Sequence, residues 1–169
     1  MTDPVDGLMT IAEIAITIAG FSGLIAAFRP KEDWSPQERF LLINILFFCF
    51  GIVICSLFPI FTAEYFEEKQ DVWEVSCLLY ALIYGVLVLR IVWITYRGEY
   101  VHTNPRISYP LTVIALGVIV ISMLAGLGFV IPASPSLLGL ILMWGIVASG
   151  LFFILSLVAL WDDRKERAT

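Results

Sequence analysis

Glu13 is the only charged side chain between Leu8 and Phe28, in a stretch otherwise made of apolar residues, small residues and hydroxyls. On a helix, Thr10, Glu13, Thr17 and Gly20 follow at steps of three, four and three, so they share one face. An acid inside a membrane segment is costly and points to an ion path, a proton relay or a hydrogen-bonded packing group. In dry surroundings a carboxyl keeps its proton, which suits structure or relay. Facing water it is charged, and a ring of copies would line a cation path. Thr10, Glu13, Thr17 and Gly20 are therefore the ion-pathway candidates.

Arg90 is the one basic residue inside an apolar run. Counted at 1.5 Å per residue, Glu13 lies about 7 Å from one membrane boundary and Arg90 about 10 Å from the other, so a direct pair would need the helices to slide. At the depth of Arg90 the chain offers Asn44, Thr112 and Ser156. At the depth of Glu13 it offers Ser56, Tyr80, Ser122 and the carbonyl of Cys55, which Pro59 frees by removing the amide proton one turn on. Asn44, Ser56, Tyr80, Arg90 and Ser122 are the intramembrane polar candidates. Thr17 and Ser22 can also bond back to their own helix, and Arg90 can extend toward the surface.

Catalytic patterns are absent. The one histidine, His102, falls in a loop, and no Ser-His-Asp pattern or Cys-His metal spacing is built around it. No glycine-rich phosphate loop follows a strand. Cys49, Cys55 and Cys77 fall inside apolar runs, where a thiol acts as a small hydrophobe. We expect no enzyme activity, no cofactor and no metal. The tail from Arg164 to Arg167 is broken by Glu166 and preceded by Asp162 and Asp163, which argues against nucleic-acid binding.

The elements that must position these residues follow from composition. Of 169 residues, 60% are apolar and 15% charged, with a mean hydropathy of +0.93. Such a chain is a membrane protein. Its apolar runs predict an all-α polytopic bundle of five transmembrane helices, about 8–28, 40–62, 73–96, 109–131 and 136–161, in a single membrane domain over 1–169. Asp3 and Asp6, with no Lys or Arg before the first span, predict that this span is retained and not cleaved.

Ser35-Pro36-Gln37-Glu38 carries an N-cap, an early proline and the reciprocal glutamate of a capping box, and Asp71-Val72-Trp73-Glu74 repeats the spacing. Ser134-Pro135 caps the fifth helix. Gly117, Ser122 and Gly126 on the fourth helix, and Gly139, Gly145, Ser149 and Gly150 on the fifth, predict close packing. Ala15, Ala19, Gly23 and Ala27 do the same for the first. With a small row and a polar row, that helix is expected at the centre of a bundle or an oligomer, with Glu13 facing protein or water.

Arg29, Lys31, Arg39, Arg97, Arg106, Arg164, Lys165 and Arg167 fall on one side of these spans and Lys69 on the other, which predicts the N-terminus outside and the C-terminus inside. The outer side is acidic and would concentrate cations. The phrase AEIAITIAGFSGL, from Ala12 to Leu24, resembles the first helix of small, uncharacterised, multi-spanning bacterial membrane proteins. The resemblance covers the first helix only. It implies a bacterial cytoplasmic (inner) membrane and no particular activity.

Three functions fit these residues. One is a homo-oligomeric channel or pore in the lipid bilayer, conducting cations, monovalent ones among them, with the first helix lining the path. The second is a non-transporting subunit of a membrane complex that assembles through small-residue faces. The third is a small secondary transporter, although five spans do not divide into the equal halves of an inverted repeat.

Overall fold

The computed structural model describes residues 4–28, 34–66, 68–97, 105–129 and 131–168; among these, the side chains of Gln37, Lys69, 105–108 and 155–168 are not described. Five helices follow in order: α1 Pro4–Phe28, α2 Pro36–Thr62, α3 Lys69–Tyr96, α4 Pro105–Gly126 and α5 Pro135–Ala168. No strand occurs among the described residues. Each helix contains a span long and apolar enough to cross a membrane. The chain is an all-α integral membrane protein. Phe50, Phe61, Leu82, Leu89, Val113 and Leu140 are exposed around the bundle, the surface that a bilayer would cover.

Local sequence sets most helix ends. Ser35 starts α2 with both halves of the capping box formed: the Glu38 amide donates to Ser35 Oγ at 3.2 Å and the Ser35 amide to Glu38 Oε2 at 2.8 Å. Ser134 caps α5 by accepting from the Leu137 amide at 3.2 Å. The box expected at Asp71–Glu74 does not form. Helix α3 begins a turn earlier, with Glu68 at its N-cap and no side-chain cap. A tertiary bond explains the extra turn: Gln70 Nε2 donates to the Ala133 carbonyl at 3.1 Å and lies 3.4 Å from Glu74 Oε1, tying the start of α3 to the turn before α5.

Helix α4 stops at Gly126 and not at Ile131 as its hydropathy suggests. Gly128 adopts a φ of +67°, open to glycine without a Cβ penalty. The amides of Gly128 and Phe129 then close onto the carbonyls of Ala125 and Leu124, at 3.1 and 3.0 Å. That pair of bonds is a Schellman ending.

The middle of the bundle is α2, which touches α1, α3 and α5, while α4 packs chiefly on α3. Half of the span in α2 is buried, against 22% for α1. The expectation that α1 is central within the bundle is therefore corrected. Among the described residues α1 meets α2 and α5 and touches neither α3 nor α4. The width of the buried face decides the matter: on α2 the stripe of Leu41, Ile45, Phe48, Cys49, Ile52 and Cys55 is broadened by Asn44, Gly51 and Ser56 and can serve three neighbours, whereas α1 buries only the narrower stripe of Leu8, Ile11, Ala12, Ala15 and Ser22.

All five helices contribute to one buried cluster, from Leu8 and Ala15 through Ile52, Tyr84 and Ala125 to Leu142. Its axis is aromatic. Tyr80 stacks on Tyr84 at 4.2 Å, Tyr84 meets Phe48 edge-on at 5.3 Å, and Phe48 contacts Phe152 at 5.7 Å. The Tyr84 hydroxyl donates to the Phe48 carbonyl at 2.8 Å. Gly51 and Gly145 make the room: a Cβ on either would stand 3.3 Å from the Tyr84 hydroxyl oxygen.

Candidate functional site

Why α1 folds with its polar stripe outward follows from its other face. Leu8, Ile11, Ala12, Ala15 and Ser22 are buried, at helical spacing, and the two alanines let the backbone come close to its neighbours. Ile11, bulkier than the alanines, belongs to the same face. In the small-residue row Ala15 is fully buried, Ala19 and Gly23 are half-buried, and Ala27 is exposed. That arrangement turns Thr10, Glu13, Thr17 and Gly20 out of the bundle together, and all four are exposed. A Cβ on Gly20 or Gly23 would meet nothing within 4 Å.

The stripe has a chemical sign. The Thr10 hydroxyl donates to the Asp6 carbonyl at 2.9 Å and the Thr17 hydroxyl to the Glu13 carbonyl at 2.8 Å. Each hydroxyl has a single proton, and it is used on the helix itself. What these side chains offer outward is lone pairs. With Glu13 between them in its ionised form, the stripe would present acceptors and no side-chain donor. It can hold a cation, or a donor from another chain, far better than an anion.

The other polar candidates lie elsewhere. Ser56, Tyr80 and Ser122 are buried in the bundle and do not surround Glu13 as depth alone suggests. Ser122 is on α4 and Tyr80 on α3, the two helices α1 does not reach. Ser122 Oγ donates to the Cys77 carbonyl at 2.8 Å, joining α4 to α3, and Tyr80 is part of the aromatic axis. Ser56 is on α2, and its hydroxyl makes no protein hydrogen bond. Arg90, on α3, is separated from Glu13 for the same reason, so no ion pair joins them. Its guanidinium lies over the Phe47 ring at 5.4 Å. Asn44 is fully buried on α2, with Nδ2 donating to the Phe40 carbonyl at 2.8 Å.

Arg97, Trp93 and Tyr96 close the end of α3, with the Arg97 guanidinium 3.8 Å from the centre of the Trp93 ring. Among the described residues no three His, Cys, Asp or Glu side chains come together. His102 lies outside the described residues, as do the side chains of Ser156 and of the basic tail.

The important residue the sequence reading passes over is Tyr84. Its signal is present: it stands one turn after Tyr80 on the same face. Gly51 and Gly145 gain their meaning only with it. Compared with protein-family models, with curated proteins and with solved structures, the chain matches none.

Proposed function

We propose that this chain is the subunit of a homo-oligomeric, cation-conducting membrane channel in which copies of α1 meet and present Thr10, Glu13, Thr17 and Gly20 to the path. The observation that carries the reading is an acceptor-only stripe, with a carboxylate at its middle, on the outside of an edge helix. Lipid cannot solvate that carboxylate, so the stripe calls for water or a neighbouring protein surface. A closed ring of copies supplies both, because each subunit uses the same face and no stripe is left against lipid. Tied-back hydroxyls set the sign of the permeant ion. In the same reading the N-terminus is outside a bacterial cytoplasmic membrane, and acidic Asp6, Glu64, Glu68 and Asp71, all exposed, gather cations at the entrance.

A second reading is favoured by Gly20 and Gly23, whose open space would accept a partner helix at close range. There the chain is a non-transporting subunit and Glu13 takes a hydrogen bond from its neighbour. The transporter reading loses ground, since each of the five spans is a continuous helix over its described residues and midplane sites are usually built on broken ones.

Flux through purified protein in liposomes decides between them, with sodium, potassium and chloride gradients run in parallel. Wild type should pass cations over chloride. Glu13→Gln should lower that preference by about fourfold or more, the Boltzmann factor for losing one charge some 5 Å away in water-like surroundings. Unchanged selectivity in Glu13→Gln would remove the carboxylate from the path. Absence of flux from an intact oligomer would select the assembly subunit.

A further inference from the structure

Two buried polar atoms on neighbouring helices have no protein partner: Asn44 Oδ1 on α2 and Arg90 Nη1 on α3. Their register shows that they belong together. Gly51 marks where α2 and α3 touch, since a Cβ there would come within 3.3 Å of Ile83 Cγ2 and 3.2 Å of the Tyr84 ring. Asn44 stands one heptad before Gly51, and Arg90 one heptad after Ile83. A heptad is close to two full turns, so on helices running in opposite directions the two steps end at the same level and on the facing stripes. Phe47, one turn from Asn44, sits under the Arg90 guanidinium and fixes the same register independently.

The chemistry between the two atoms is restricted. Asn44 Nδ2 already donates to the Phe40 carbonyl, so the amide cannot turn over without setting its oxygen against another carbonyl oxygen. The side chain therefore offers an acceptor to the seam. Arg90 offers a donor. A simple anion would satisfy the guanidinium and be repelled by the amide oxygen. What fits both is an oxygen that accepts one hydrogen bond and donates another.

We propose that the α2–α3 seam is a hydration site in which one water accepts from Arg90 Nη1 and donates to Asn44 Oδ1. Arg90 also lines an open, largely apolar groove on α3 with Leu89, Val92, Trp93 and Tyr96. The water hydrates the guanidinium within an apolar segment, and it holds α2 and α3 in register.

A high-resolution structure of the full-length protein in lipid nanodiscs tests the site directly. A compact density about 2.8 Å from both atoms is expected. A direct Arg90–Asn44 hydrogen bond, or an elongated density of a lipid headgroup in the seam, would overturn the proposal. A double-mutant cycle in reversible mixed-micelle unfolding adds an energetic readout. Asn44→Leu and Arg90→Met should each lower the folding equilibrium constant by about tenfold or more, because each strands the other group. The double variant should recover about tenfold or more of the combined loss. Purely additive losses would show that the two residues share no ligand.

Discussion

Gly126 and Gly117 sit on the same helix and read alike in the sequence, yet their surroundings differ. A Cβ on Gly126 would fall 2.6 Å from Leu78 Cγ and 2.8 Å from the Glu74 carbonyl oxygen, and backbone cannot move aside cheaply. A Cβ on Gly117 would meet nothing within 4 Å. Gly126→Ala should therefore cost about 1–3 kcal/mol through overpacking of α3 on α4. Gly117→Ala should be neutral or stabilising by up to about 1 kcal/mol, since alanine is the better helix former. Thermal unfolding of the two variants in one detergent checks the contrast, and equal shifts would refute it. The sequence gives the residue type at both positions; only the neighbour across the seam separates a contact glycine from a free one. Glu13 follows the same logic. Its stripe is plain from spacing, whereas the direction in which the stripe points depends on where the alanines of α1 find their partner.

Helix starts are legible where the cap is local and less so where it is not. Ser35 and Glu38 complete their box within one turn, and Ser35→Ala should remove about 1 kcal/mol and fray the first turn of α2. Amide hydrogen exchange at Glu38 and Arg39, whose amides bond to Ser35, reads the fraying; unchanged protection there would count against the cap. At α3 a capping pattern of the same spacing goes unused, because Gln70 reaches Ala133, far along the chain, and draws the helix back to Lys69. Packing of α1 is likewise an element-scale matter. Ala15 is fully buried, so Ala15→Leu should push α1 off its neighbours at a cost of about 1–3 kcal/mol, while Ile16→Leu, on the exposed side, should change little. Denaturant midpoints measure both, and an Ala15→Leu midpoint equal to wild type would place α1 elsewhere.

For the whole molecule, the proposed ring makes α1 the contact between copies. The native thiols Cys49, Cys55 and Cys77 are all buried and free, which makes an introduced cysteine easy to follow. Gly20→Cys, on the stripe, should cross-link copies under mild oxidation in membranes, and Leu116→Cys, on the exposed face of α4, should remain monomeric. Cross-linking at Leu116 alone would move the contact to α4. With the proposed N-terminus outside and C-terminus inside, impermeant thiol labelling should reach a cysteine at Asp6 from outside and one at Thr169 from inside. The reverse pattern would invert the proposed entrance.

By itself the sequence determined the number of spans, the all-α architecture, the caps of α2 and α5 and the membership of the α1 stripe. These depend on hydropathy over a window and on spacing within a turn or two, and both are properties of contiguous residues. Tertiary structure alone decided that α2 is the hub, that Glu13 faces out of the bundle, that Ser56, Tyr80 and Ser122 lie away from it, and that Arg90 lies over Phe47. The physical reason is that every span here is apolar on most of its circumference. Hydropathy then gives no preferred inward face, and the choice falls to close fit: which alanine or glycine admits which neighbour, and where the tyrosines are housed.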